Sequence, residues 1–250
     1  MKNSTIIEKY MRSPMHPITV TVIGCGGTGS QLLQGLARIN AALIKLDHPG
    51  LKITAWDPDE VSQSNIARQL FAKQEIGMNK AVAIITRINR FFQTSWTGIP
   101  GKFNFNEEGT NIYFTCTDTV KSRTDFSKHI LRQKKGNESR HNKKRYYWID
   151  CGNTKNKGQV WLSSLPYSDN KLPTLYEVYH TPEEDNSTPS CSVAEALEKQ
   201  DLFINTIVVN SACSLFWQLF RKAYITEQGA FINLENGINI KSIPIKTSSN

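Results

Sequence analysis

The chain has 250 residues, 39% of them hydrophobic and 21% charged, a balance that reads as an ordinary globule with length for a real core. No apolar run approaches the ~20 residues of a membrane span, and the opening MKNSTIIEKYMRSPMHP lacks the apolar centre of a secretory signal, so a cytoplasmic protein is expected. The formal charge of +8 is local: residues 121–145 carry ten Lys and Arg against two acids, Asp125 and Glu138, and the remainder is neutral overall.

Taken in chain order, residues 1–16 form an N-terminal arm. ITVTVIG (18–24) is a short β-branched run ending in glycines, and SQLLQGLARINAALI after it is helix-like. LKITAWD (51–57) predicts a second strand, and NKAVAIITRINRFF (79–92) has apolar residues at helical spacing. NIYFTCTD (111–118) predicts a strand running into a polar turn, with a helix over VKSRTDFSKHILRQ. RYYWIDCG (145–152) and GQVWLSSLP (158–166) are two further strands. Residues 166–190 hold Pro166, Pro173, Pro182 and Pro189 without a clean period, which marks a long loop of the kind that is usually functional or disordered. A helical stretch follows over 192–224, and AFINLENGINIKSIPI predicts a hairpin whose Asn236-Gly237 suits a type I′ turn.

Strands alternating with helices imply βαβ units, hence an α/β, Rossmann-like doubly wound sheet, mostly parallel, continuing into an antiparallel portion and a C-terminal hairpin. One domain covers 1–250: the arm, a nucleotide-binding half (17–132), a basic loop (133–145), a second half (146–243) with the crossover loop 166–190, and a tail (244–250). The basic segment could attract nucleic acid or an acidic partner. RQKKGNESRHNKKR offers no aromatic to stack on a base, which favours a solvated basic loop.

GCGGTG (24–29) lies between a strand and a helix, where backbone amides and a helix N-terminus hold phosphate. That loop suits NAD, FAD or ATP equally. Asp57 ends the second strand 33 residues after Gly24, where a dinucleotide fingerprint expects its ribose acid after ~20. A dehydrogenase needs nothing basic beyond that acid. Here Asp57 is followed by Asp59, Asn65, Arg68 and Gln69 in DPDEVSQSNIARQLF, then by Lys80 in IGMNKA and Asp118 in FTCTD. Cations and carboxylates around a phosphate cradle are what nucleotidyl transfer requires: charge to offset a leaving pyrophosphate, and an acid for Mg2+.

These motifs (GxGGxG, DxDxVxxSNxxRQxF, IGxxKA, a strand ending in TD, and IDCG…GQV) occur in order over roughly residues 18–220. Together they resemble the ThiF/MoeB/HesA E1-like activating enzymes. The segment SCSVAEALEKQDLFIN makes the chain most similar to the small ThiF-type proteins of PRTRC plasmid-associated gene clusters. The resemblance implies ATP-dependent adenylation of the C-terminal carboxylate of a small ubiquitin-like protein ending in glycine. Gly24, Gly26, Gly27 and Gly29 would cradle phosphate and Asp57 would address the ribose. Asp59, Asn65, Arg68 and Gln69 would form the ATP-site motif, Lys80 would bind phosphate and Asp118 would hold Mg2+. Many relatives bring an N-terminal arginine across a homodimer interface to the γ-phosphate, and Arg12 is the candidate here. The CxxC pairs that bind zinc in many relatives are missing, so no structural zinc is expected.

The five cysteines form no CxxC and no disulfide framework. Cys191 stands just ahead of SVAE, whose Ser192 and Glu195 have capping-box spacing. A thiol at a helix N-terminus feels the positive end of the dipole, which lowers its pKa and suits it to take an activated carboxylate as a thioester. Cys25 is a tolerated small side chain in the glycine loop, and Cys116, Cys151 and Cys213 read as core. Other readings are a tRNA-directed carboxylate-adenylating relative of the same fold, a non-catalytic partner that binds ATP or a ubiquitin-like protein, and an NAD(P) oxidoreductase resting on the glycine loop alone.

Overall fold

A computed structural model describes residues 4–66, 68–104, 110–136 (backbone alone from 130), 146–165, 168, 172–178 and 200–245. The elements in chain order are β1 (Thr5–Ile6), α1 (Lys9–Arg12), β2 (Ile18–Ile23), α2 (Gly27–Lys45), β3 (Leu51–Asp57), α3 (Lys80–Phe92), β4 (Thr97–Pro100), β5 (Ile112–Thr115) and α4 (Val120–Gly136). They continue with β6 (Tyr147–Asn153), β7 (Lys157–Ser164), α5 (Leu175–Val178), α6 (Ile204–Arg221), β8 (Tyr224–Ile225), β9 (Glu227–Asn233) and β10 (Asn239–Pro244). Among the described residues no helix is long and apolar enough to cross a membrane.

The main sheet has the order β10-β9-β7-β6-β5-β2-β3-β4. β2, β3, β4, β5 and β6 run parallel, whereas β7, β9 and β10 pair antiparallel. The register Ile23↔Trp56 and Ile23↔Thr115 brings the carboxyl ends of β3, β2 and β5 level. β2 and β5 are buried along most of their length, as apolar interior strands of a covered parallel sheet must be.

α2, α3 and α6 cover one face of the sheet and α4 the other. α6 buries Ile204, Val208, Ala212, Leu215, Phe216 and Leu219, a single helical stripe, each large side chain contributing roughly 1.5–3 kcal/mol of hydrophobic stabilisation. Phe216 meets Phe114 of β5 edge-on, with ring centroids 5.2 Å apart. On the α4 side Phe126 packs against Tyr113 and Trp148, and Tyr176 of α5 stacks on Trp148.

The structure adds β4, which is short, half-buried and carries Gly98 within its paired register. Its Pro100 fits because β4 is an edge strand and needs no donor on its outer side. α4 runs on to Gly136, into residues read from the sequence as loop. The stretch expected to be helical over 192–224 is helical from Ile204 to Arg221, and residues 192–199 lie outside those described. The C-terminal hairpin forms, but five residues join its strands and only Gly237 takes a positive φ (109°). A type I′ turn needs positive φ at both central residues, so Asn236-Gly237 is a turn of another kind.

A charged pair is buried between β6 and α4. Asp150, 1% exposed, accepts a hydrogen bond from Thr115 Oγ1 at 2.6 Å, and its Oδ2 lies 3.9 Å from Arg123 Nη1. Gly152 leaves the space that guanidinium fills, since a Cβ there would stand 1.8 Å from Arg123 Nη1. Burial raises the Asp150 pKa, and Arg123 and Thr115 only partly hold it down. Folding therefore retains a proton that the unfolded chain has already lost, and stability falls as pH rises above the ordinary carboxylate value. Asp150→Asn is expected to make that fall shallower, read by denaturant unfolding between about pH 4 and 7. An unchanged slope would show that Asp150 is ionised as readily in the fold as outside it.

Candidate functional site

The chain passes from β2 outward to β3 and β4, then returns to β5 on the other side of β2. At such a switch point the connections diverge and leave a crevice beyond the carboxyl ends of the strands. The glycine loop, the DPDEV segment and the turn after β5 all open into it. Gly24 has φ +91°, and a Cβ there would stand 2.7 Å from the Cys116 carbonyl oxygen. Gly29 is needed for the same fold-back, because its Cβ would stand 1.8 Å from the Gly24 carbonyl oxygen. α2 begins at Gly27 with Gly26 as its cap and no side-chain acceptor, so the first amides remain open to an anion.

Asp57 holds this loop in place. Its Oδ2 accepts from the Cys25 amide at 2.5 Å and its Oδ1 from the Asp59 amide at 2.8 Å. The residue is 4% exposed, and burial raises its pKa against the opposing pull of these amides and of Lys80. Asn79 fixes the next segment: its side-chain oxygen caps α3 by accepting from the Ala81 and Val82 amides. Its Nδ2 donates to the Asp57 and Asp59 carbonyls. Lys80 is thereby turned inward, its Nζ 3.0 Å from Asp59 Oδ2, with the lysine side chain 10% exposed and the aspartate 64%.

Asn65 and Gln69 are buried. Asn65 accepts from the Ser62 amide and closes the 3-10 turn Gln63–Asn65, and its carbonyl takes the Gln69 amide. Gln69 then reaches toward Gly26, 3.9 Å from the place a Cβ would occupy. Arg68 is half-buried and donates from Nη1 to Gln200 Oε1 at 2.8 Å. Burial lowers the pKa of its guanidinium, and Asp118 opposes that shift from the exposed turn after β5. Three buried polar atoms here have no partner among the described residues: Arg68 Nε, Gln69 Oε1 and Thr117 Oγ1. Each would cost roughly 1–3 kcal/mol left unsatisfied, so the crevice is built for a polar occupant.

The structure thus gathers Gly24, Gly26, Gly27, Gly29, Asp57, Asp59, Asn65, Arg68, Gln69, Lys80 and Asp118 around one crevice. Cys191 lies outside the described residues. Arg12 sits at the other end of the sheet: its helix packs beside Tyr146, ahead of β6, and Met11 lies beside His48, ahead of β3. Cys25 is fully buried and that burial raises its thiol pKa well above normal, while the Cys151 thiol is raised first by its hydrogen bond with Cys116 and then by burial, so neither supplies a thiolate.

Several site residues escaped the sequence reading. Asn79 had a readable signal, an Asn directly before a helical run. Asn205, Thr28 and Asn153 had none, because they meet only in space. Thr28 Oγ1 donates to Asn205 Oδ1 at 2.9 Å and lies 3.1 Å from Asn153 Oδ1, while Asn153 Nδ2 donates to Asn205 Oδ1.

Open helix amides, two inward cations and a nearby exposed carboxylate suit a phosphate chain with a divalent ion. No curated protein matches the chain. Among solved structures it is similar to E. coli MccB, with a TM-score of 0.61 and 15% identity over 92% of this chain and 63% of that one. The same protein with ATP gives a TM-score of 0.60 and 17% identity over 92% and 64%. With MccA-N7isoASN it gives 0.62 and 17% over 92% and 65%. This chain therefore spans less than two thirds of the length of those structures, and at such identity the likeness is one of fold. The ThiF family model matches residues 11–238, nearly the whole length. The chain belongs to the ThiF family.

Proposed function

We propose that this protein uses ATP to adenylate the C-terminal carboxylate of a small ubiquitin-like protein ending in glycine, releasing pyrophosphate. The observation that carries the reading is the convergence of Arg68, Lys80, Asp118 and the open amides of α2 on one crevice that also holds three buried polar atoms without a partner among the described residues. One MccB structure holds ATP and another holds AMPCPP with MccA, which supports a nucleotide and a second ligand on this fold.

The chemistry asks little of a base. A carboxylate is ionised at neutral pH, and its oxygen attacks the α-phosphorus as the bond to the β-phosphate oxygen breaks. What opposes reaction is repulsion between anions. Lys80 and Arg68 supply fixed positive charge, and the α2 amides bind phosphate without desolvating a further ion. Asp57 would address the ribose while keeping the loop closed, and Asp59 would release Lys80 to the phosphates. Asp118 would hold Mg2+, which when bound would supply positive charge against the leaving pyrophosphate.

Cys191 would take the activated carboxylate as a thioester, its sulfur displacing AMP from the acyl carbon. A homodimer would bring Arg12 to the neighbouring copy's crevice, because within one chain it stands at the far end of the sheet. The likeness of SCSVAEALEKQDLFIN to PRTRC-associated ThiF-type proteins points to that subtype, and a cytoplasmic setting suits ATP as substrate.

ATP–pyrophosphate exchange with small proteins ending in glycine tests the activity. Asp118→Ala is expected to abolish exchange, a loss of at least about a hundredfold, as removal of a main electrostatic group does. Undiminished exchange would sink the Mg2+ role. Cys191→Ala is expected to retain exchange and lose a thiol-sensitive adduct on non-reducing gels. An adduct that persists removes Cys191 from the transfer step.

A further inference from the structure

Arg68 enters the crevice on a single described hydrogen bond, from Nη1 to Gln200 Oε1 at 2.8 Å. Its Nε is buried with no acceptor among the described residues. Gln200 is fixed in turn, because Asn205 Nδ2 donates to the same oxygen at 3.3 Å. Asn205 is 2% exposed and is locked by Thr28 at the start of α2 and by Asn153 at the end of β6. The Asp201 amide donates to the Lys155 carbonyl at 2.7 Å and ties the same segment to the β6–β7 connection. A polar seam therefore runs from the glycine-loop helix, across the start of α6, to the guanidinium.

We infer that Gln200 is a positioning residue for Arg68 in the nucleotide reaction proposed above, aiming the guanidinium at the phosphates through an uncharged acceptor. The neutrality matters. A carboxylate at this place would hold Arg68 as firmly but would cancel its charge and repel the phosphate chain. An amide orients the cation and leaves its charge for the ligand. The acceptor also comes from the segment that follows Cys191 by nine residues in sequence, so the aim of Arg68 depends on how α6 is entered.

The test is ATP affinity by calorimetry on the full chain and on Gln200→Met, Arg68→Ala and the double variant. Gln200→Met, which keeps the length and removes the acceptor, is expected to weaken ATP binding roughly tenfold, the scale of one hydrogen bond to a charged group. In the Arg68→Ala background it is expected to add nothing further. Equal loss in both backgrounds, or no loss in either, overturns the inference. Gln200→Glu keeps an acceptor for Asn205 and so guards against a folding defect. It is expected to bind ATP more weakly than the wild type, and equal or tighter binding would overturn the requirement for an uncharged acceptor. A wild-type chain that binds no ATP would sink the nucleotide reading itself and this role with it. Wild-type affinity in Gln200→Met would sink the role alone.

Discussion

The carboxylate of Asp57 fixes two connections that the pairing of β2 with β3 only brings alongside each other. One oxygen takes the Cys25 amide of the glycine loop and the other takes the Asp59 amide of the next connection. Charge-assisted bonds of this kind are worth roughly 1.5–3 kcal/mol each, yet burial still raises the acid's pKa. The ion is thus kept at a cost, and what it secures is geometry. With Cys25 held to β3, the chain must fold back so tightly that Gly24 and Gly29 nearly touch, and α2 starts with its amides facing the crevice.

A second regularity follows from that arrangement. The groups that orient the site are mostly uncharged amides, and the cations are left largely unspent. Asn79 caps α3 and ties down the DPDEV loop, Asn65 closes its own turn, and Gln200 and Asn205 stand behind Arg68. The close counter-ion to Lys80 among the described residues, Asp59, is itself mostly exposed, so water already screens the pair. A fully buried ion pair, Arg123 with Asp150, lies apart, beneath α4. Positive charge near the glycine loop is therefore available to a ligand, and the charge that is neutralised serves packing.

The sequence marked which candidate residues gather at one end of the sheet better than it marked the fold's margins. DPDEVSQSNIARQLF and IGMNKA both lie on the one connection from β3 to α3, so closeness along the chain keeps those side chains at one end of the sheet. β4 was hidden because an edge strand of TGIP has no apolar alternation to detect. The hairpin was readable but its turn was not: Asn-Gly favours a tight turn, and here five residues join the strands with Asn236 in an ordinary backbone region. Apolar spacing continues upstream of Ile204, whereas residues 200–203 are not part of α6 and Phe203 is its cap; residues 192–199 lie outside those described.

By itself the sequence determined the α/β architecture, the nucleotide-type loop and the identity of the charged residues beside it, since each depends on periodicity or on residues close in the chain. The tertiary structure decided which partner each of those residues has. Gln200 meets Arg68 across 132 positions, and Asn205 meets Thr28 across 177. No local pattern encodes such contacts, because they exist only once α2 and α6 pack on the same face of the sheet. It also decided that Arg12 stands at the far end from the glycine loop, a matter of strand direction, which spacing along the chain does not reveal.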